Sequence, residues 1–336
     1  MPTILGIEST AHTFGVGIVK DKKVLSNTKR SFTTKEGEGG MIPNEVAKFH
    51  EKNKYEIYNE SLKEAKIKEG DIDAIAFSRG PGLAPCLLEG MSLAKELAKK
   101  LSVPLVCVNH CVAHLEIGRI TGAMDPVMLY ASGANTQVIS YEAGKYRVFG
   151  ETLDIGIGNF IDTFARYAGL GFPGGPAIQK LAEQSTNYIE LPYRVKGMDI
   201  ALSGILTNLK QKLDSKDYKL EDLAYSLQET VFAMLVETAE RALAHTGKNE
   251  LLLGGGVACN SRLQEMCKIM CKERGAKFFC PERPLLVDNA SMIAYLGEIM
   301  FENKVYAGGK NGTEKTNEEV DIKPRERTDD IEVSWK

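Results

Sequence analysis

Residues 3–27, TILGIESTAHTFGVGIVKDKKVLSN, hold three short apolar runs separated by two polar breaks. The runs are Thr3–Glu8, Gly15–Lys20 and Lys23–Asn27, and the breaks lie at Ser9-Thr10 and Asp21-Lys22. Short runs that carry β-branched side chains and end at turn residues predict β-strands. The chain is therefore expected to begin with three strands joined by two turns.

A second copy of this pattern occupies the middle of the chain. In residues 126–152, PVMLYASGANTQVISYEAGKYRVFGET, the apolar runs Pro126–Ser132, Thr136–Tyr141 and Tyr146–Thr152 are again separated by turns. Helical patterns follow each copy, and such alternation of strands and helices predicts an α/β fold. Two copies about 120 residues apart predict a duplicated α/β lobe, the layout of sugar kinases, actin and the Hsp70 ATPase.

The remaining patterns divide the chain into two predicted lobes. We expect residues 1–125 to form the first lobe, residues 126–301 the second, and residues 302–336 to pack back on the first. Apolar periodicity predicts strands at Ala74–Phe77, Pro104–Val108 and Glu250–Leu253, and helices near Asn44–Ala65, Leu87–Lys100, Gly158–Ala168, Ala177–Gln184, Ser203–Leu213, Leu220–Ala244, Asn260–Arg274 and Asp288–Phe301, with one more beginning at Asn109.

The composition is that of an ordinary soluble globular protein, with 43% hydrophobic and 26% charged residues in 336. No apolar run approaches the ~18 residues that a membrane span requires. The start of the chain lacks the basic region of a secretory signal, and the seven cysteines are too sparse for a disulfide scaffold. These features predict a cytoplasmic protein with reduced thiols and no membrane contact.

The formal net charge of −3 restricts how the chain could bind nucleic acid. A protein that binds nucleic acid on its own normally carries a basic surplus, because neutralising phosphates supplies most of the affinity. If the substrate is an RNA, we expect a partner to share the binding.

The segment His-Cys-Val-Ala-His places His110 and His114 four residues apart, directly after a predicted strand. On a helix, both imidazoles would lie on one face, where they could bind one divalent ion if a third ligand came from elsewhere. The spacing is that of the zinc-protease motif, but Cys111 stands where that motif needs a glutamate base. Peptidase chemistry is therefore disfavoured, and a packing or capping role for the pair stays open.

Asp288 lies just before an apolar helical run near the end of the chain. Aspartate is a good helix N-cap, and this is the simplest interpretation of the residue. A carboxylate that serves as the third metal ligand is the alternative.

Three glycine-containing turns suggest a phosphate-bearing ligand. They are Ser132–Thr136 between two strands, Asp154–Asn159 before a helix that contains Asp162, and Gly254–Gly256 after a buried strand. Backbone N–H groups in such turns and at helix starts suit phosphate oxygens, and glycine lets the ligand approach closely. Each turn alone is a weak signal, but three of them in a duplicated lobe predict a nucleotide site in a cleft between the lobes.

Several segments together resemble the tRNA N6-adenosine threonylcarbamoyltransferase family, of the TsaD and Osgep type. They occur in order along essentially the whole chain, and their details resemble the archaeal and eukaryotic branch. The segments are Leu5–Glu8, Gly80–Leu83, Asn109–His114, Tyr130–Gln137, Gly150–Asn159, Gly171–Pro176, Leu191–Tyr193, Val195–Asp199, Gly255–Ala258 and Asp288–Ala294.

The resemblance implies an actin-like ATPase (ASKHA) fold and a set of ligand contacts. It implies one divalent metal ion, iron or zinc, held by His110, His114, Tyr130 and Asp288. It also implies that an ATP- or AMP-type nucleotide is contacted by Tyr130, Ala131, Ser132, Gly133, Ala134, Asn135, Asp162, Gly175, Gln179, Gly255, Gly256 and Asn260. Two of these depart from the family pattern, since Ala134 replaces a common glycine and Gln179 replaces a common acidic residue.

The resemblance implies transfer of threonylcarbamoyl from threonylcarbamoyl-AMP to an adenosine beside the tRNA anticodon, in tRNAs that read ANN codons. The implied partners are the subunits of the KEOPS complex, which include a small kinase-like ATPase and small accessory subunits. No side chain is identified as a catalytic acid or base. Two alternatives are a metallopeptidase and a non-catalytic nucleotide-binding scaffold, the latter favoured by the departures at Ala134 and Gln179.

Overall fold

The computed structural model describes residues 1–33 and 41–336. Its strands are β1 (Thr3–Glu8), β2 (Thr13–Lys20), β3 (Lys23–Ser31), β4 (Ala74–Gly80), β5 (Leu105–Asn109), β6 (Val127–Ala131), β7 (Thr136–Glu142), β8 (Lys145–Glu151), β9 (Val195–Lys196), β10 (Asp199–Ile200), β11 (Glu250–Gly254) and β12 (Lys277–Phe279). Its α-helices are α1 (Pro43–Ala65), α2 (Ala84–Leu101), α3 (His110–Glu116), α4 (Ile157–Tyr167), α5 (Gly174–Ala182), α6 (Ser203–Ser215), α7 (Leu220–Thr246), α8 (Ser261–Arg274), α9 (Arg283–Leu286) and α10 (Ala290–Glu302).

The chain divides into two compact units. Unit 1 comprises residues 1–120, 143–146 and 288–336, and unit 2 comprises residues 121–142 and 147–287. The strands predicted from the two apolar patterns are confirmed to within two residues at their starts, and β3 runs on to Ser31.

Unit 1 is built on a five-stranded sheet with the order β3-β2-β1-β4-β5. Strands β1 to β3 form an antiparallel meander, and β4 and β5 extend the sheet in parallel with β1. Leu5 and Ile7 of β1 belong to a buried cluster that includes Ile57 of α1 and Leu93 of α2. Alternation along the strand directs Gly6 to the other face.

Helix α10 lies directly on that other face. Gly6 of β1 pairs with Gly17 of β2, and these two glycines leave the backbone of the sheet open to the helix. A Cβ at Gly6 would stand 2.5 Å from the carbonyl oxygen of Ala290, and one at Gly17 would stand 2.6 Å from the amide nitrogen of Ser291. Glycine at both positions is therefore what lets α10 approach this closely.

The position of α10 differs from the predicted lobe boundary. The order of the sequence predicts residues 288–301 in the second lobe, because they follow that lobe along the chain. In the structure, residues 288–336 belong to unit 1, since the first turns of α10 pack on β1 and β2. The glycine pair that makes this contact lies almost 300 residues away, so local periodicity could not reveal it.

Unit 2 repeats the strand arrangement of unit 1. Its five-stranded sheet has the order β12-β11-β6-β7-β8, with β6 and β7 antiparallel and with β11 parallel to both β6 and β12. The meander followed by two parallel strands matches β3-β2-β1-β4-β5 element by element, as the repeated apolar pattern predicted. Its core is formed by the sheet and helices α4 to α8, with Phe160, Phe164 and Phe232 fully buried.

Within the described ranges, none of the helices has both the length and the apolar character that a bilayer crossing demands.

Candidate metal centre and nucleotide-binding loops

Helix α3 begins where β5 ends, and it carries both histidines of the His-Cys-Val-Ala-His segment. Asn109 is its N-cap, and the Asn109 side-chain oxygen accepts hydrogen bonds from the amides of Cys111 (3.0 Å) and Val112 (3.1 Å). The helix brings the imidazoles of His110 and His114 to a ring-centroid distance of 4.8 Å. Both residues are buried within unit 1.

Asp288 joins the two histidines from the segment that precedes α10. Its Oδ1 atom lies 3.4 Å from His110 Nε2 and 3.5 Å from His114 Nε2. The cap interpretation of Asp288 was wrong, because the N-cap of α10 is Asn289, whose Oδ1 accepts from the amide of Met292 at 3.0 Å. Asp288 is thus left to face the histidines.

The spacing of these three donors fits a common metal ion. His110, His114 and Asp288 each offer one ligand atom, and the three atoms lie within 4.8 Å of one another. Donors about 2.0–2.1 Å from a tetrahedral ion are about 3.3 Å apart, close to the two distances from Asp288 Oδ1. Two imidazole nitrogens and one carboxylate oxygen are a donor set that zinc and ferrous iron accept.

The electrostatics of the cluster also suit a cation. Burial acts to lower the pKa of His110, but the carboxylates of Glu8 and Asp288 raise it well above its ordinary value. Burial acts to raise the pKa of Asp288, but hydrogen bonds from the two histidines hold it well below its usual range. The pKa of His114 is lowered, mainly by burial. The two carboxylates therefore favour positive charge at this point, which a divalent cation can supply.

Glu8 orients His110 from the side away from Asp288. Its Oε2 atom lies 3.0 Å from His110 Nδ1, and its Oε1 atom accepts from the amide (2.8 Å) and the hydroxyl (2.5 Å) of Thr10. A carboxylate at Nδ1 fixes the tautomer that leaves Nε2 as a ligand. Glu8 is not among the site residues predicted from the sequence, although a carboxylate at the end of a buried strand is a signal for such a role.

Two further residues, Cys111 and Tyr130, bear on the composition of the ligand set. Among the residues that the structure describes, no cysteine joins the cluster of three, and the thiol of Cys111 hydrogen-bonds to the side chain of Thr328. Tyr130 is buried near the end of β6 in unit 2. Its hydroxyl as a fourth ligand stays a prediction.

In unit 2, the predicted nucleotide-binding turns come together at the ends of β6 and β11. The amide of Ser132 donates to the carbonyl of Asn135 (3.0 Å) and closes the turn after β6. The amides of Gly158 and Asn159, in the first turn of α4, donate to the carbonyls of Ser132 (3.0 Å) and Gly133 (2.9 Å). The start of α4 thus rests on the turn that contains Ala134.

The loop after β11 approaches the same turn. Gly255 has a φ of 88°, and a Cβ there would stand 2.6 Å from the carbonyl carbon of Ala131. Only glycine combines this left-handed conformation with such close packing. Gly256 follows it and begins a short 3-10 helix that ends at Cys259.

The amino end of α5 is a further candidate for binding an anion. Asp162 Oδ1 accepts from the amide of Gly174 at 2.7 Å, so this carboxylate already supports the first residue of the helix. Pro173 is the N-cap and provides no side-chain cap. Apart from its chain neighbours and the backbone of its own helix, no described atom lies within 4 Å of the place where a Cβ on Gly175 would stand. A side chain there would therefore point into open space.

Asn260 and Gln179 both hydrogen-bond to other residues of unit 2. Asn260 is the N-cap of α8 and accepts from the amide of Arg262 at 2.9 Å, while its side-chain nitrogen donates to Gln228 at 2.6 Å. Gln179 Nε2 donates to the hydroxyl of Ser261 at 2.9 Å. Gln179 and Asn260 therefore meet at the start of α8, and their contacts with a nucleotide stay predictions.

Sequence comparison relates the chain to enzymes of one kind. Residues 23–295 match the family described as TsaD, tRNA N6-adenosine threonylcarbamoyltransferase. A tRNA N6-adenosine threonylcarbamoyltransferase of Thermococcus sibiricus is 54% identical over 331 residues, which cover 98% of this chain and 99% of that protein. A probable bifunctional tRNA threonylcarbamoyladenosine biosynthesis protein of Methanosarcina barkeri is 50% identical over 336 residues, which cover 99% of this chain but 59% of that protein.

Structural comparison agrees with the predicted fold. The crystal structure of T. kodakarensis HypF matches with a TM-score of 0.64 and 16% identity, over 90% of this chain and 48% of that chain. At this identity the likeness shows the fold alone. Together with the repeated strand order of the two sheets, it confirms the prediction of a duplicated actin-like ATPase (ASKHA) fold.

Proposed function

The chain belongs to the family of tRNA N6-adenosine threonylcarbamoyltransferases, and from this premise we propose the reaction that it carries out. It transfers the threonylcarbamoyl group of threonylcarbamoyl-AMP to N6 of the adenosine 3′ of the anticodon, in tRNAs that read ANN codons, and releases AMP. The observation that carries this proposal is the 54% identity to such an enzyme over 98% of this chain and 99% of that protein.

His110, His114 and Asp288 hold one divalent ion, iron or zinc, with the hydroxyl of Tyr130 as a fourth ligand. The three donors within 4.8 Å of one another support this assignment. When bound, the ion supplies Lewis-acid chemistry and orients the threonylcarbamoyl group. Glu8 keeps the Nδ1 proton of His110 on the side away from the ion, so that Nε2 stays a ligand.

Unit 2 holds the adenylate. Its phosphate faces the backbone N–H groups of the turn Ser132–Asn135 and of the α5 amino end at Gly175, with Asp162, Gln179, Gly255, Gly256 and Asn260 around the nucleoside. The adenosine amine attacks the carbamoyl carbon, the bond from that carbon to the phosphate oxygen breaks, and AMP leaves with the electron pair. The amine loses one proton in this step, and the proton passes to the departing AMP phosphate or to water. Positioning and charge stabilisation dominate catalysis, since no side chain is assigned as a base.

Replacing Gly175 with alanine should weaken AMP binding about tenfold without destabilising the protein. The new methyl group enters open space, so unfolding should change by less than about 1 kcal/mol, but it occupies room that the phosphate needs. Isothermal titration with AMP and urea unfolding would measure the two effects.

The matched control for this change is Gly204→Ala. Gly204 is also the second residue of a helix, α6, and a Cβ there would likewise meet no described atom beyond its chain neighbours and its own helix backbone. It lies outside the proposed adenylate site, so AMP affinity should stay at the wild-type value. Equal AMP affinity in the Gly175 and Gly204 variants would show that α5 is not part of the adenylate site.

The chain works with other proteins of the KEOPS complex, among them a small kinase-like ATPase and small accessory subunits, and the reaction takes place in the cytoplasm. Two observations support a shared machinery. The relative from Methanosarcina barkeri is described as bifunctional and is much longer than the region that matches this chain. The net charge of −3 also favours a partner that helps to bind tRNA.

Reconstitution tests the proposed reaction. The purified chain is incubated with tRNA, threonine, bicarbonate, ATP and the partner enzymes, and the tRNA nucleosides are analysed by mass spectrometry. We expect threonylcarbamoyladenosine only when the chain is present. A complete mixture that binds AMP but forms no product would instead support a nucleotide-binding scaffold. We expect no peptide cleavage with or without a chelator, because Cys111 stands where a metallopeptidase needs its glutamate.

A further inference from the structure

The last seventeen residues of the chain, 320–336, form a strap along unit 1 that contacts the helix carrying the two histidines. The strap first passes the end of β4, where the amide of Lys323 donates to the carbonyl of Arg79 at 2.8 Å. Glu326, Thr328, Val333 and Trp335 are then buried, so the segment is packed against unit 1 at several points. We call residues 320–336 the C-terminal strap.

The strap contacts α3 at its N-cap and at its second residue. Glu326 Oε2 accepts from Asn109 Nδ2 at 3.1 Å. This bond holds the Asn109 amide in the orientation in which its oxygen caps the helix. Thr328 hydrogen-bonds to Cys111. Cys111 is the second residue of α3 and lies between the two histidines in the sequence.

The strap contacts α3 again at its last residue. The carboxylate of Glu116 is fully buried, and its Oε1 atom accepts from the indole Nε1 of Trp335 (2.9 Å) and from the hydroxyl of Tyr146 (2.5 Å). Arg119 forms an ion pair with the other oxygen of Glu116. Loss of Trp335 would leave an empty site against this carboxylate and remove one of its hydrogen bonds.

A helix of this length depends on such contacts. Helix α3 has seven residues, and isolated helices shorter than about 12 residues are marginal in water. Its ends are held by Glu326 and Trp335, and His110 and His114 lie between them.

We propose that the C-terminal strap is the element that positions His110 and His114 for metal binding, with Trp335 as its terminal anchor. The proposal rests on the metal centre of the proposed function. Groups behind metal ligands commonly change metal affinity 10–100-fold. Trp335 acts through Glu116 and α3 and is therefore a positioning residue.

The test measures Co²⁺ affinity of the full chain by competition with a chromophoric chelator. We expect Trp335→Ala to weaken Co²⁺ binding about tenfold. Trp335→Phe keeps an aromatic ring but lacks the N–H, so its Co²⁺ affinity should lie between those of Trp335→Ala and wild type. Hydrogen exchange of residues 110–116 should accelerate in both variants without added metal. Trp335 is the single tryptophan of the chain, so its fluorescence reports directly whether the strap is docked.

The matched control is Leu209→Ala, which truncates a fully buried residue of α6 in unit 2. It should lower the unfolding midpoint but leave Co²⁺ affinity and exchange of residues 110–116 unchanged. If wild type binds Co²⁺ and the Co²⁺ affinity of Trp335→Ala lies within twofold of it, the strap proposal is overturned. The same holds if Leu209→Ala weakens Co²⁺ binding as much as Trp335→Ala does. Either result leaves the metal centre itself in place. A wild-type chain that binds no Co²⁺ would overturn the metal centre, and the strap proposal with it.

Discussion

Replacing both His110 and His114 with alanine should remove the bound metal and lower tRNA modification by at least about 100-fold. The double variant leaves only Asp288 of the three clustered donors, with Tyr130 as the other proposed ligand, and two oxygen donors do not retain a zinc or iron ion against dilution. Elemental analysis should show the metal content falling from one ion per chain to none. Threonylcarbamoyladenosine formation in the reconstituted reaction should fall with it.

The control for this experiment is Cys111→Ser, on the same helix and between the two histidines. Serine keeps a hydrogen-bonding group toward Thr328 and leaves the donors of the cluster in place. It should therefore keep both metal and activity. Normal tRNA modification by a metal-free double-histidine variant would contradict the proposed mechanism, whatever the stability of that variant.

The elements that the sequence predicted well are those whose signal is local. The strands β1 and β6 have continuous apolar runs with clear turns after them, and α7 has a long apolar period, so their limits followed from the sequence. Strand β12 was missed because it has only three residues, Lys277–Phe279, and begins with an exposed lysine. Its place beside β11 is a tertiary pairing that no local pattern records.

The residues of the candidate site also differ in whether a local sequence pattern could predict them. The four-residue spacing of His110 and His114 is local, and it correctly indicated two imidazoles on one helical face. Asp288 and Asn289 are adjacent residues that both make good caps, and composition could not decide which of them caps α10. The choice is made by packing, which directs the Asp288 carboxylate to the histidines. Glu8 was missed for a related reason, since its partner His110 is about 100 residues away along the chain.

Gly6→Ala should destabilise the protein by about 3 kcal/mol and reduce its metal content. The added methyl group would stand 2.5 Å from the Ala290 carbonyl oxygen and closer still to the Ala294 amide, so α10 would have to move as a whole. Overpacking against backbone typically costs about 1–3 kcal/mol, and this contact belongs at the upper end because a backbone cannot rotate away. Asp288 lies two residues before α10 and would move with it. Urea unfolding and elemental analysis measure the two effects.

Gly70→Ala is the matched control, because Gly70 also belongs to unit 1 but a Cβ there would meet no described atom within 4 Å beyond its chain neighbours and its own short helix. Its unfolding free energy should stay within about 0.5 kcal/mol of wild type, as for an ordinary surface change. If Gly6→Ala unfolded like Gly70→Ala and kept its metal, the close packing of α10 on β1 would not be what places Asp288. If Gly6→Ala lost its metal at a denaturant concentration where it is still folded, the packing of α10 would act on the metal centre itself. We expect the folded Gly6→Ala variant to lose its metal, because the segment that carries Asp288 continues directly into α10, the helix that packs against Gly6.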